Sequence, residues 1–250
     1  MAIHRAPGNP VTTYTIASNS SNISFNLNQT PTPGNILFIH IMFSAQPSTP
    51  TIGNPAISGC TYTGRYASAG VVYTGTFTVG ASPGNTVTIA VSGGTCDFAI
   101  CVVEYINLSS ITTDIVGSAA NTYQFTNPVH NVIGTLSQAQ EIAWAQWYCF
   151  GTAFSGWGAT PSGWNILLQT VNASGWSVAL FEQLTTSNAS QNLSLQANGT
   201  INTAVGGGGS GYYETLGGIV AADAAIQNSG NLIATRTNIL RKRGCGIFNY

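Results

Sequence analysis

Apolar residues recur at every second position along much of this chain, and that period is the strongest constraint on what it can fold into. Val71, Tyr73, Phe77 and Val79 share one face of a run whose other face is mostly threonine. Beyond Gly80-Ala81-Ser82-Pro83-Gly84, Val87, Ile89 and Val91 alternate with Thr86, Thr88, Ala90 and Ser92. Strand side chains point alternately to opposite faces, so the two runs predict a hairpin with one wet and one dry side. The same alternation marks 22–27 (Ile23, Phe25, Leu27), 175–184 (Trp176, Val178, Leu180, Leu184) and 190–197 (Leu193, Leu195, Ala197). Three further runs, 36–43, 98–106 and 142–150, are apolar on both faces. They predict central strands, or strands covered on the second face by a loop or another subunit. Turn residues punctuate the runs at Pro31-Thr32-Pro33-Gly34, Ser92-Gly93-Gly94, Asn127-Pro128 and Thr160-Pro161-Ser162-Gly163. No 3.6-residue period is sustained before the last fifth. The pattern predicts an all-β protein, an antiparallel two-sheet sandwich with jelly-roll-like connections.

A sandwich built from 250 residues is commonly one domain. The expected boundaries are 1–226 for that domain, with a glycine-rich loop at 206–211, and 227–250 for a C-terminal arm. Leu216 to Ala222 reads as a last core strand, with a short helix as the alternative because alanines continue to 225. The arm turns polar, then basic, and ends in Gly246-Ile247-Phe248-Asn249-Tyr250. A tail without a core of its own but with an apolar tip suits docking on a neighbour. Its expected contact residues are Arg241, Lys242, Arg243, Ile247, Phe248 and Tyr250.

Charge narrows the function classes. Only 5% of the residues are charged, against roughly 25% in ordinary domains. Four of the six basic residues are Arg236, Arg241, Lys242 and Arg243, and no basic stripe crosses the rest, so nucleic acid is not an expected main partner. No apolar run reaches the roughly 18 residues of a membrane span, so no membrane insertion is expected. The first eight residues lack an apolar signal region, so synthesis in a cytoplasm is the expectation. Five cysteines (Cys60, Cys96, Cys101, Cys149, Cys245) form no C-x-x-C and have no zinc-finger histidines. They read as mostly reduced core thiols, with a Cys60–Cys96 or Cys60–Cys101 bridge left open. No metal and no cofactor are expected.

The chemical motifs are weak ones. Gly80-Ala81-Ser82-Pro83-Gly84 matches the nucleophile-elbow pattern G-x-S-x-G, but that serine needs a helix after it, whereas a strand follows here. An ordinary turn fits better. Gly206, Gly208 and Gly211 satisfy G-x-G-x-x-G trivially, without a βαβ context. Lys242 is the only lysine and forms no phosphate loop. Glu104, Glu141 and Glu182 sit in strands. Two carboxylates on one sheet is the arrangement of a β-sandwich glycosidase. Glu104 and Glu182 are in phase with Val102 and Leu180, so they point toward core positions. The bland alternative is strand-end acids bonded to Arg65 or to backbone groups. Five tryptophans cluster between Trp144 and Trp176. Trp157 and Trp164, in a glycine- and serine-rich stretch, are the candidates for stacking on a sugar ring; core packing or a subunit contact is the commoner use. Asn-x-Ser/Thr sequons at Asn19, Asn22, Asn107 and Asn192 follow from a composition rich in these residues.

Several segments in order carry a resemblance. Met1-Ala2-Ile3 precedes a Ser/Thr/Asn-rich first strand; PGNILFIHIMF (33–43), SPGNTVTIAVS (82–92) and FAICVVEYINL (98–108) come after it. Asp114, Ala119 and Ala120, QEIAWAQWYCFG (140–151) and GWSVALFEQL (175–184) continue the series. Across roughly residues 10–222 the chain resembles a β-sandwich domain that recurs in bacteriophage tail and other virion proteins and in bacterial surface proteins. It departs from the pattern at 58–63, where Ser58-Gly59-Cys60-Thr61-Tyr62-Thr63 replaces the usual D-S-x-G-N-T hairpin. The resemblance implies a jelly-roll-like sandwich without enzymatic activity. It also implies a place in a virion, as a tail, baseplate or fibre component or a capsid decoration protein. The expected partners are then other copies of the chain and other virion proteins. The alternative is a carbohydrate-binding adhesin that holds a host surface glycan through Trp157 and Trp164.

Overall fold

Ile36 to Phe43 are buried at all eight positions, which requires a strand covered on both faces. The computed structural model of the chain describes residues 3–44, 50–68, 72–108, 112–122, 125–126, 129–135, 141–150, 153–157, 162–171, 176–186, 190–201 and 212–221. Its regular elements are all strands. The first ten are β1 (His4–Arg5), β2 (Val11–Asn19), β3 (Ile23–Asn26), β4 (Ile36–Phe43), β5 (Thr51–Ile52), β6 (Ala56–Ile57), β7 (Cys60–Ser68), β8 (Val72–Val79), β9 (Thr86–Ile89) and β10 (Val91–Ser92). Then come β11 (Cys96–Ile106), β12 (Thr112–Thr122), β13 (Phe125–Thr126), β14 (Val129–Thr135) and β15 (Glu141–Phe150). β16 (Ala153–Trp157), β17 (Asn165–Val171), β18 (Trp176–Leu184), β19 (Ser190–Ile201) and β20 (Tyr212–Ala221) complete the order. The segment 212–221 is therefore a strand and not a short helix. The expected arm at 227–250 lies outside the described residues.

The strands build an all-β molecule of antiparallel sheets packed on one another. Sheet 1 has the order β1-β11-β4-β8-β7, with β2 also paired to β11. Sheet 2 is β3-β9-β6, accompanied by the two-stranded β5–β10. Sheet 3 has the order β12-β20-β15-β18-β17, and in sheet 4 the strands β13, β14 and β16 all pair with β19.

Strand alternation assigns the two faces of sheet 1. Tyr14, Ile100 and Glu104 point one way, and Tyr14 stacks on Phe25 of sheet 2 with ring centroids 4.7 Å apart. His40, Cys101 and Tyr105 point the other way, and His40 meets the edge of Trp144 of sheet 3 at 5.3 Å. Sheet 1 thus lies between sheets 2 and 3. That is why the strands at 36–43 and 96–106 are apolar on both faces, as their sequence requires. Within sheet 3, β18 is also buried on both faces from Ser177 to Glu182.

The expected hairpin between 71–79 and 86–91 does not form. β8 pairs with β4 and β7 in sheet 1, whereas β9 pairs with β3 and β6 in sheet 2. The segment 80–85 crosses between the two layers, packing on the turn at Ser58 and Gly59. Gly80 N–H donates to the Gly59 carbonyl at 2.9 Å and Gly84 N–H to the Ser58 carbonyl at 2.7 Å. The threonine face of β8 is correspondingly dry at Thr74 and Thr76, because sheet 3 lies on that side. The period of two gives the strands their faces but carries no sign of the second layer.

Candidate functional site

Two buried carboxylates are the chemically richest groups among the described residues. Glu104 sits on β11, next to the point where the chain passes from β1 to β2, and is 1% exposed. Its backbone is held from both sides: Ala6 N–H donates to its carbonyl at 2.9 Å, and its own N–H donates to the Pro10 carbonyl at 3.1 Å. Its Oε1 accepts from Thr32 N–H at 2.8 Å and from Asn35 Nδ2 at 2.6 Å. Its Oε2 accepts from Gln29 Nε2 at 3.1 Å. The donors come from the Pro31–Gly34 turn and its flanks, where Gly34 takes a φ of 86° that favours glycine. Glu104 therefore ties that turn to β11 of sheet 1.

Glu182 lies on β18 and is fully buried. Arg5 Nε donates to both of its oxygens at 3.0 Å, and Tyr105 Oη donates to Oε2 at 2.6 Å. Burial works against the Arg5 charge, but the hydrogen bond and the charge of Glu182 outweigh it, and the guanidinium pKa is raised. Burial, followed by the Glu182 charge and hydrogen bond, holds the Tyr105 phenol well above its ordinary range. It stays protonated and donates.

The two acids do not come together. Glu104 and Tyr105 are neighbours on one strand and point to opposite faces of sheet 1. Glu182 bonds Tyr105, so it lies across sheet 1 from Glu104. The glycosidase arrangement needs both carboxyls on one sheet, flanking one bond; here the acids stand on different sheets and on opposite sides of a layer. The expected core-facing phase of both acids is borne out. Their partners are Arg5, Tyr105, Gln29, Asn35 and Thr32; the side chain of Arg65 lies outside the described residues, as does that of Glu141.

His40 and Cys101 are register partners on the same face of sheet 1, a juxtaposition that suggests a nucleophile and its base. Their environment opposes it. Burial lowers the His40 pKa to about 3 and raises that of the Cys101 thiol far above its ordinary value. Both are neutral and sealed from solvent, and only a thiolate attacks. His40 Nδ1 lies 3.1 Å from Thr74 Oγ1, which makes it a hydrogen-bonded core histidine. Cys60, Cys96 and Cys101 are all free thiols, so neither disulfide left open by the sequence is present. Among the described residues no group of His, Cys, Asp and Glu could hold a metal ion. No helix among them is long and apolar enough to cross a membrane.

Trp164 is buried at 7% exposure, so its ring offers little face to a sugar. The side chain of Trp157 lies outside the described residues. So do Arg241, Lys242, Arg243, Ile247, Phe248 and Tyr250. Sequence reasoning missed Arg5, Tyr105, Gln29 and Asn35. Tyr105 carried one usable signal: a Glu-Tyr pair inside an apolar strand needs a polar partner on each face of its sheet.

Comparison with known proteins adds no relative: no family model, no curated protein and no solved structure matches the chain.

Proposed function

We propose that this chain is a non-enzymatic structural protein of a bacteriophage virion, acting through subunit contacts as a tail, baseplate or fibre component or as a capsid decoration protein. One observation carries the non-enzymatic part. Glu104 and Glu182, the two described acids that point into the core, are saturated by hydrogen bonds and separated by a sheet. A general acid or base needs access to a substrate proton, and neither carboxyl offers it. The low charge and the hydroxyl- and amide-rich surface suit large polar contacts between copies. The virion assignment rests on the sequence resemblance across roughly residues 10–222. The basic, apolar-tipped segment 227–250 is the proposed assembly device.

Light scattering on the full chain and on a chain ending at residue 226 tests this reading. Assembly of the full chain, with a folded monomer on truncation, supports it. Monodisperse monomers in both cases remove self-assembly as the explanation.

A further inference from the structure

The strand order of sheet 1 recurs in sheet 3. β2-β11-β4-β8-β7 in the first half of the chain corresponds position by position to β12-β20-β15-β18-β17 in the second. The partner sheets agree as well: β3 and β6 flank β9, as β14 and β16 pair with β19. Register makes the correspondence specific. Ile36 lies opposite Thr78, and a shift of 106 residues carries that pair to Ile142 and Leu184, which lie opposite each other. Val103 lies between Phe38 and Val11. Gly218 lies between Trp144 and Val116, again 106 and 105 residues beyond those partners. A shift of 106 therefore relates β4 and β8 to β15 and β18, with β2 to β12 one residue shorter. β17 falls four to five residues short of that shift relative to β7, and β20 lies beyond it, its extra residues falling in the connection that holds the glycine tract 206–211.

We propose that residues 112–221 are a second copy of the sandwich formed by residues 3–108, and that the face of sheet 1 turned to sheet 3 is a recognition surface for this copy, keyed by Arg5 and Tyr105 closing on Glu182. The two copies meet through corresponding sheets, 1 and 3, within one chain. The polar contact is not symmetric, and this sets the choice of partner. Glu182 lies opposite Trp144 as Thr76 lies opposite Phe38, so Thr76 is the first copy's counterpart of Glu182. Thr76 Oγ1 donates to the Thr63 carbonyl within its own sheet. Two first copies placed face to face would set Arg5 against a threonine and leave it without a carboxylate, which disfavours that pairing. The surface therefore selects the second half of the chain over another chain's first half. Contacts between chains are left to other surfaces. This inference does not depend on the virion reading.

The test uses the full chain with a protease site inserted between Leu108 and Thr112, cut after folding. Both fragments are expected to keep their β-sheet circular dichroism and to elute together, and Glu182→Lys is expected to make them elute separately. Tyr105→Phe removes one hydroxyl and is the variant that keeps its fold. It is expected to raise the dissociation constant of the cut halves by about 10-fold or more, the effect of losing a buried hydrogen bond to a charge. Loss of the β-sheet signal on cutting would show one shared fold and not two copies. An unchanged dissociation constant in Tyr105→Phe would remove the proposed key.

Discussion

Glu104→Gln changes one atom of a buried cluster, and the geometry of its donors dictates the cost. The amide can keep its oxygen toward Thr32 N–H and Asn35 Nδ2, the closer pair of donors. Its nitrogen then faces Gln29 Nε2, donor against donor. Gln29 cannot relieve this by turning its own amide, because its Oε1 accepts from Asn9 N–H at 2.7 Å and its Nε2 also donates to the Pro7 carbonyl at 3.3 Å. Losing one charge-assisted bond costs about 1.5–3 kcal/mol, and the two remaining bonds weaken by about 1 kcal/mol each when their acceptor becomes neutral. Relief from burying a charge offsets part of that loss. The expected net destabilisation is about 2–3 kcal/mol, or a fall in Tm of roughly 4–12 °C for a chain of this size. Urea unfolding of both proteins measures it, with the midpoint shifted and the slope m unchanged. Combining the variant with Gln29→Ala should recover at least about 1 kcal/mol of coupling, since the clash disappears with the donor. A single variant within about 0.5 kcal/mol of the parent would refute the reasoning, because the carboxylate would then be solvated and not clamped.

Three further outcomes are expected from the same packing. His40 stays neutral in the fold to about pH 3 while the unfolded chain takes up a proton below about 6.5, so stability should fall as pH drops through that window. The slope attributable to His40 is about 1.4 kcal/mol per pH unit; urea unfolding at pH 7 and 5 should show a smaller fall in His40→Gln, and an equal fall would contradict a buried neutral imidazole. Gly59 has a φ of 70°, and an added Cβ would run into Ser82 O and crowd Pro83 Cα, so Gly59→Ala should cost about 2–4 kcal/mol by thermal unfolding; a neutral result would mean that the 80–85 crossing does not rest there. Among Cys60, Cys96 and Cys101, iodoacetamide treatment and then peptide mass mapping should find Cys60 labelled first. Burial pushes the Cys96 thiol up to about 12 and the Cys101 thiol higher still, and early labelling of Cys101 would place it outside the core.

The strands themselves were legible because burial imposes a period of two on any strand with one wet face, and a continuous apolar run on any strand with none. Ile23, Phe25 and Leu27 show the first case, and 36–43 shows the second. The inward phase of Glu104 and Glu182 was legible for the same reason. Their partners were not. Arg5 lies 177 residues from Glu182, and Tyr105 lies 77 from it, and nothing local in either segment encodes such a pairing. The threonines of β8 show the limit from the other side: an alternation of Val, Tyr and Phe with Thr fits a half-exposed strand as well as it fits one whose hydroxyls are buried against another layer.

What the sequence by itself determined was the class of element, the turns, the inward direction of two acids and the poverty of charge, all of which depend on residues within a few positions of one another. The tertiary structure decided which sheets stack, that 80–85 crosses between layers, and that the two acids lie on opposite sides of sheet 1. It also brought the two halves of the chain into register, because strand order and pairing depend on which distant surfaces exclude water together, and that is a property of the assembled layers.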